Sequence, residues 1–293
     1  MDRLAKFFII CAATFALGLV LFVVGLSTGG VDGFHKVANH NSWLSTGSQS
    51  VEVTSTKGEF NKITAEGSLD VVVVGESYYS EAVNDNDLMK EDIKPEPGMI
   101  VLRYGDEYVE PKVEFNGNEL HINSKQKMKV GVSLDLGDDK FNVWPTAIIF
   151  CDDNELKSIT VDSDFGDIDI KGVDFAKADL EGDMADLEVK DIKSKGLKIH
   201  SEDADVEISG DLRGKTEIDL DDGDVEISTK ADYKDYTIEA SVLDGVVAIG
   251  DNEAEYVSYD DEGYTYKQKG GEDSLLITLL DGEINIDSHD KDN

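Results

Sequence analysis

Two short stretches of alternating apolar and polar residues recur through the second half of the chain. In one copy, Ile159-Thr160-Val161 is followed, after a polar corner, by Gly166-Asp167-Ile168-Asp169-Ile170. An alternation of period two puts every second side chain on the same face, which predicts β-strands that bury one face. Neither stretch is long enough to form an amphipathic helix. The pattern therefore predicts an all-β domain.

The unit recurs at a nearly constant length, and each copy carries one small residue at its corner. These residues are Gly166, Ala185, Ala204, Gly223, Gly245, Gly263 and Gly282. The first three intervals, from position 166 to 185, to 204 and to 223, are identical. The sixth unit, Tyr256 to Tyr266, is degenerate and aromatic. Self-similarity at a fixed spacing predicts a repeat architecture.

Two architectures accommodate such a repeat. In a hairpin meander, the two strands of one unit pair with each other through a tight turn. In a β-solenoid, each strand pairs with its counterpart one repeat later, and the coils stack about 4.8 Å apart. The constant length favours the solenoid, because in-register stacking admits insertions only at corners. We predict a single-stranded β-solenoid (β-helix) with regular repeats of about 19 residues over 156–287 and an irregular β part over 51–155.

The corner residue is Gly in some units and Ala in others. This alternation indicates that the corner needs little side-chain volume and does not strictly need a positive φ.

The N-terminal region contains an apolar run from Phe7 to Leu26 that carries no charge. About 20 helical residues cross a hydrocarbon core of about 30 Å, so the run predicts a transmembrane helix over 7–26. Arg3 and Lys6 precede it, and the positive-inside rule then places a short tail, 1–6, in the cytoplasm. A cleaved signal peptide is the alternative, although its apolar region normally has about 7–15 residues.

The rest of the chain is predicted to lie outside the cell. Residues 27–50 are rich in Gly, Ser and Asn, which is typical of a flexible tether, and the polar tail 288–293 is predicted to be disordered. No second apolar run approaches spanning length. We expect a single-pass protein of the cell membrane with an extracellular β domain.

Acidic residues dominate the charge, with 63 Asp and Glu against 27 Lys and Arg and a formal net charge of −36. Binding of nucleic acid or anionic lipid needs Lys and Arg to replace counterions, so nucleic acid is not expected as a partner. Only Arg103 and Arg213 follow Arg3, which leaves little for bidentate recognition of phosphates or acidic sugars. Cys11 lies in the apolar run and Cys151 is alone, so no disulfide or thiolate metal site is expected.

Several phrases resemble the putative-adhesin family of β-strand-repeat domains in bacterial envelope proteins. They are Phe60-Asn61-Lys62-Ile63, Glu119-Leu120-His121-Ile122, Leu156-Lys157-Ser158-Ile159 and the recurring Gly-Asp-Ile-Asp-Ile or Gly-Asp-Val-Glu-Ile. The resemblance covers roughly Val51 to Asp287, and the chain is similar also to the head domain of autotransporter adhesins. The resemblance implies a β-solenoid at the cell surface and brings no catalytic residues.

An acid follows the small residue in four successive units: Asp167, Asp186, Asp205 and Asp224. If the coils stack in register, these charges lie about 5 Å apart and repel by roughly 0.8 kcal/mol per pair in water. Bound Ca²⁺ would relieve the repulsion, since it takes carboxylate oxygens. The alternative is a solvated row of turn acids. The four aspartates are the candidate calcium site, and no other cofactor is expected.

The aromatic sixth unit suggests a second candidate site. Tyr256, Tyr259, Tyr264 and Tyr266 could form a contact patch for a carbohydrate or a protein, because Tyr offers a large amphipathic surface at low entropy cost. The alternative is that some of these side chains fill the interior of a degenerate coil near the end of the solenoid.

These observations favour a non-enzymatic protein of cell-surface display or binding, with an extracellular protein or glycan as its ligand. Acids are spread along the chain and form no single catalytic constellation. Two alternatives stay open. One is an accessory envelope-stress or signalling component that acts through a membrane partner. The other is a β-helix enzyme acting on carbohydrate, which would need paired carboxylates of different pKa in a cleft.

Overall fold

The fold is taken from a computed structural model of the chain, which describes residues 49–55, 60–85, 93–105, 111–124, 144–152, 154–250, 255–257 and 263–288. The predicted cytoplasmic tail, transmembrane helix and most of the tether lie outside these ranges. Across the described ranges, no helix combines the length and the apolar character that a bilayer crossing requires. The first strand begins at Gln49, inside the range expected for the tether.

The described residues form eighteen strands and one short α-helix. The strands of the first half are β1 (Gln49–Ser55), β2 (Lys62–Gly67), β3 (Asp70–Val74), β4 (Met99–Gly105), β5 (Lys112–Asn116), β6 (Glu119–Ser124) and β7 (Thr146–Phe150). The helix α1 (Tyr79–Asp85) follows β3 after a 3₁₀ turn, Glu76–Tyr78.

The strands of the second half are β8 (Ser158–Ser163), β9 (Ile168–Lys171), β10 (Asp174–Phe175), β11 (Ala178–Met184), β12 (Leu187–Asp203), β13 (Val206–Asp222), β14 (Val225–Thr229), β15 (Thr237–Ile249), β16 (Glu255–Val257), β17 (Tyr264–Gln268) and β18 (Ser274–Ser288).

Equivalent strands of successive middle repeats pair in parallel, one repeat apart. Leu187 of β12 pairs with Ile168 of β9 and with Val206 of β13. The same offset joins Ala178 to Ile159 and to Leu197. This pairing confirms the solenoid and rules out the hairpin meander for these repeats, because a meander would join the two strands of one unit antiparallel.

Each coil has two long sides. Side 1 contains β2, β6, β8, β11, β17, the second halves of β12 and β13 and the first halves of β15 and β18. Side 2 contains β3, β7, β9, β14, β16, the first halves of β12 and β13 and the second halves of β15 and β18. A short third stretch, where Asp174 pairs with Lys193, closes the middle coils.

The alternating apolar residues point between the two sides and are buried. The burial pattern of β8 alternates strictly, with Ile159 and Val161 inside and Thr160 and Asp162 outside. One continuous core of such residues runs from Ile63 to Ile286. Burying a side chain of this size stabilises the fold by about 1.5–3 kcal/mol, so the interior of the coil column is the main source of stability.

The coils do not stack in the order of the chain at either end. At the N-terminal end, β2 lies between β6 and β8, and β3 lies between β7 and β9. At the C-terminal end, β18 lies between the β13–β14 coil and β15. The first and the last coil of the chain are therefore each inserted one place inside the end of the column. Sequential stacking holds only for the middle repeats.

Antiparallel strands cover both ends of the column. β5 pairs antiparallel with β6, and β1 pairs antiparallel with β4, which itself pairs antiparallel with β7. At the other end, β16 and β17 pair antiparallel with β15. The aromatic unit is thus not a sixth parallel coil, as its repeat position suggested, but part of this cover. Covering a strand edge removes a template for unwanted pairing.

Helix α1 creates a second, smaller core on the outer face of side 2. Ala82 and Val83 of the helix are buried against outward-facing residues of the first coils, including Val72 and Phe150. Tyr79 stacks edge-on against Phe150 with ring centroids 5.0 Å apart. The valine run of β3 is apolar on both faces for this reason. Beyond α1, the outer face of side 2 becomes polar.

Candidate functional site

The four predicted aspartates lie in one row on side 2, and their carboxylates are bound to backbone. The amide of Asp186 donates to Asp167 Oδ1 (3.3 Å), that of Asp205 to Asp186 Oδ1 (3.3 Å), and that of Asp224 to Asp205 Oδ1 (3.0 Å). Each carboxylate therefore accepts from the coil that follows. We call this row, with its extensions at both ends, the acid ladder.

Two further acids extend the acid ladder. Asp70 Oδ1 accepts from the amide of Asp167 (3.2 Å), and Asp224 Oδ1 accepts from the amide of Glu283 (2.9 Å). Both stand in the same frame of the repeat, in Leu69-Asp70-Val71 and Gly282-Glu283-Ile284. Their position in the repeat could have identified Asp70 and Glu283 as equivalent residues. That they lie next to the row follows only from the insertion of the first and last coils.

A second acidic row runs beside the acid ladder, two residues further along each strand. It consists of Asp169, Glu188, Glu207 and Glu226. Together the two rows line an open groove of about 450 Å³. Its floor is the strand backbone at Leu187 and Val206, whose side chains point into the core. The side chains of Glu207 and Glu226 are exposed. Strongly acidic walls of this kind concentrate cations from solution.

Two lysines close the end of the groove nearest α1. Lys171 binds Glu188 and reaches Glu81 of the helix (3.3 Å). Lys190 binds Glu188 and also Glu207 (2.8 Å). The charges at this end are therefore largely paired, while Glu226 lies at the other end of the second row. The unbalanced negative charge is greatest toward the last coil.

Burial raises the pKa of two carboxyl groups at the α1 end. The pKa of Asp70 rises to about 6 chiefly through desolvation, although the amide of Asp167 and the hydroxyl of Thr146 oppose the shift. The pKa of Asp169 also rises to about 6 through desolvation, with Lys171 opposing it and Glu188 adding to it. Perturbed acids mark functional sites only as a tendency, since structural networks perturb them too. Here their packing accounts for both shifts.

Backbone amides offset part of the repulsion between the carboxylates of the acid ladder. The amides of Asp186, Asp205 and Asp224 each donate to a carboxylate of the neighbouring coil. A charge-assisted hydrogen bond of this kind is about twice as strong as a neutral one. Within the described ranges, no three His, Cys, Asp or Glu side chains are grouped so that they could hold a metal ion. The calcium site at Asp167, Asp186, Asp205 and Asp224 stays a prediction.

Replacing Asp205 by Ala should lower the free energy of unfolding by about 1 kcal/mol, the usual cost of losing a side-chain acceptor for a backbone amide. Asp205→Asn keeps an acceptor oxygen and should lose less than half of that. Urea unfolding of both variants gives the comparison. An equal loss in the two variants would show that the charge, and not the acceptor, matters at this position.

The tyrosines of the aromatic unit are only partly brought together. Tyr264 and Tyr266 lie on β17, are half-buried and pack against the main core. The hydroxyl of Tyr266 also donates to Gln268 Oε1 (3.1 Å). The side-chain amide of Gln268 donates in turn to the carbonyls of Tyr233 and Tyr236. Tyr256 lies on β16, and Tyr259 is outside the described residues. A contact patch formed by the four side chains stays a prediction.

The lone cysteine of the β domain is a buried residue of the core. Cys151 is 2% exposed, and burial raises the pKa of its thiol. A thiol of this kind is inert, because the thiolate is the reactive form.

The fold and its acidic groove define the class of protein: a β-solenoid-like domain of stacked coils with one charged sheet face. The family model described as Toastrack DUF4097 matches residues 35–287. The chain belongs to this family. A search of curated proteins finds no match.

Three solved structures are similar to this chain. A putative cell adhesion protein from Clostridium sporogenes is 14% identical, with a TM-score of 0.39 over 83% of this chain and 100% of that one. A putative adhesin from Bacteroides fragilis is 11% identical, with a TM-score of 0.29 over 83% and 99%. Another from Parabacteroides merdae is 13% identical, with a TM-score of 0.29 over 84% and 98%. Likeness at this level assigns no function to this chain. The resemblance to an autotransporter head domain stays a prediction.

Proposed function

We propose that the chain is a non-enzymatic display and binding protein of the cell surface, anchored in the membrane through residues 7–26. Its binding surface is the groove between the two acidic rows of side 2, and its ligand is an extracellular protein that presents Lys and Arg. The observation that carries the proposal is the groove itself, which two parallel rows of acids line on one face of the sheet.

The architecture supports binding better than catalysis. A sheet face built from stacked coils is flat and repetitive, so it offers the same two carboxylates at each step of about 4.8 Å. A peptide with repeated positive charges can match such a surface along its length. Catalysis would instead need one position that differs from the rest. The acid ladder carboxylates are already engaged as acceptors of backbone amides.

Neutralising two exposed acids of the groove should weaken the binding of a lysine-rich peptide. Each carboxylate in a solvent-exposed ion pair contributes about 0.5–1 kcal/mol, so Glu207→Gln with Glu226→Gln should raise the dissociation constant about 5- to 30-fold. Titration of a fluorescent peptide of alternating Lys and Ser at about 0.1 M salt, where the Debye length is about 10 Å, measures this.

The matched control neutralises two acids of side 1, Glu217→Gln with Glu239→Gln, which changes the net charge by the same amount. This pair should raise the dissociation constant less than about twofold, since distant exposed charges are screened beyond the Debye length. Equal effects of the two pairs would contradict the groove as the binding surface. Recovery of a membrane protein in a mild-detergent pull-down, with no difference between the pairs, would favour the accessory-component alternative.

A further inference from the structure

The last coil of the chain occupies a slot between two earlier coils. β18 pairs in parallel with β13 from Ser274 to Asp281 and with β14 from Ile284 to Ser288. On its other edge it pairs in parallel with β15 along nearly its whole length. Both partners lie further back along the chain than one regular repeat, unlike the partners of the middle coils. Among the described strands, β15 pairs with β16, β17 and β18, so β18 is the strand that joins β15 to the β13–β14 coil.

The slot fits β18 closely. The inward residues of the strand are all at most 1% exposed: Leu275, Ile277, Leu279, Ile284 and Ile286. At the corner, Gly282 lies between two other glycines. A Cβ on Gly282 would lie 1.9 Å from the carbonyl oxygen of Gly223, and one on Gly245 would lie 1.8 Å from that of Gly282. The acid ladder continues through the strand, since the amide of Glu283 donates to Asp224.

A short connection brings the chain from the outer edge of β15 to its inner edge. Gly270 and Gly271 pass directly over the start of β15, and the amide of Gly271 donates to the carbonyl of Asp235 (2.6 Å). Asp273 then accepts from the amide of Gly214 (2.7 Å) and pairs with Arg213 (3.2 Å). The strand is thus held by contacts at its entrance as well as along its edges.

Synthesis from the N-terminus produces β15 before β18. Until β18 is added, the β13–β14 coil and β15 each offer one parallel edge, and the sequence of β18 matches both. A β18 strand from a neighbouring chain makes the same hydrogen bonds and buries the same side chains. Exchange of an identical element between copies costs little beyond association, and short hinge connections favour it.

We propose that the slot between the β13–β14 coil and β15 is a docking site for β18 of a second copy of this chain, so that copies folding together join by strand exchange. The occupant is identified by complementarity. The sequence of β18 pairs with the edges of both neighbouring coils, places Gly282 between Gly223 and Gly245, and makes the contacts of Asp273 at the entrance. This assembly is independent of the groove on side 2 and would display several grooves together. The net charge of −36 opposes close approach of two copies, so exchange increases with salt.

Cysteine pairing across the slot tests the proposal on the full chain. Ser241 of β15 and Thr278 of β18 are directly opposed and face outward, at a spacing that suits a disulfide. Two single variants, Ser241→Cys and Thr278→Cys, each with Cys11→Ser and a distinct tag, are unfolded in urea, mixed and refolded together in mild detergent. About 1 M NaCl reduces the screening length to about 3 Å. Oxidation and a non-reducing gel then report the cross-linked heterodimer.

The control replaces Ser241→Cys with Thr160→Cys, an exposed position of β8 on the same side but several coils away. The Ser241→Cys and Thr278→Cys mixture should yield roughly ten times more heterodimer than the control mixture, because only opposed positions meet disulfide geometry. Equal yields from the two mixtures would overturn the proposal. A double variant, Ser241→Cys with Thr278→Cys, separates exchange from misfolding: an efficient disulfide within one chain shows that the slot forms in the variants.

Discussion

Replacing Gly282 by Ala should lower the free energy of unfolding by about 3 kcal/mol, the sum of a backbone cost and a packing cost. The residue has a φ of +132°, a region that L side chains rarely adopt, and an added Cβ would lie 1.9 Å from the carbonyl oxygen of Gly223. The unfavourable φ costs about 1–2 kcal/mol, and overpacking against fixed backbone costs about 1–3 kcal/mol more. Urea unfolding followed by circular dichroism measures the loss.

Gly117→Ala is the matched control. Gly117 also has a positive φ, +67°, but an added Cβ there meets no atom within 4 Å. This variant should lose only the conformational term, about 1 kcal/mol. Similar losses at the two positions would show that the coils can separate at the corner, and that the stack of Gly223, Gly282 and Gly245 does not set their spacing.

Lowering the pH from about 7.5 to about 5 should stabilise the protein, and Asp70→Asn should remove part of that gain. The pKa of Asp70 is about 6 in the fold and 3.8 in the unfolded reference. Between these values the folded state binds more protons, so the free energy of unfolding falls as the pH rises from about 4 to about 6 and stays low above it. A shift of this size corresponds to about 3 kcal/mol at most.

The asparagine variant should therefore be about 1–3 kcal/mol more stable than the natural chain at neutral pH, with a flatter pH profile. Its Oδ1 can still accept from the amide of Asp167, and its amide can donate to Thr146. Thermal unfolding at a series of pH values measures both quantities. Glu239→Gln, an exposed acid of side 1, is the control and should leave the profile unchanged. A profile equally steep in Asp70→Asn would assign the pH dependence to other groups.

The corner glycines show where local patterns mislead. Gly and Ala alternate in the repeat, which suggested that no positive φ is needed there. Ala185 and Ala204 indeed have ordinary backbone, but Gly223, Gly245 and Gly282 have φ values of +124°, +141° and +132°. The later corners therefore adopt a backbone conformation that the earlier ones do not. A pattern of residue size does not distinguish the two conformations, because Gly fits both.

The acid ladder was predictable as a row but not as a hydrogen-bonded structure. Four aspartates at a constant interval indicate a column once the coils are stacked. The sequence leaves their carboxylates either as a calcium site or as solvated turn acids, and it does not identify the backbone amide of the next coil as their partner. The amide that each one accepts from belongs to the next coil, and its position depends on how the corner is built. The extension to Asp70 and Glu283 depends further on which coils become neighbours.

The sequence alone determined the strands of the middle repeats, their buried faces and their parallel pairing. Period-two alternation is a local property, and a constant repeat length brings equivalent strands together. Only the tertiary structure decided the order of the coils at the two ends. Every unit carries the same alternation, so each can pair with any other, and the pattern does not say which. The insertion of β18 depends on which edge of β15 is free, and β16 and β17 already cover the outer one. Competition between edges is a property of the assembled column.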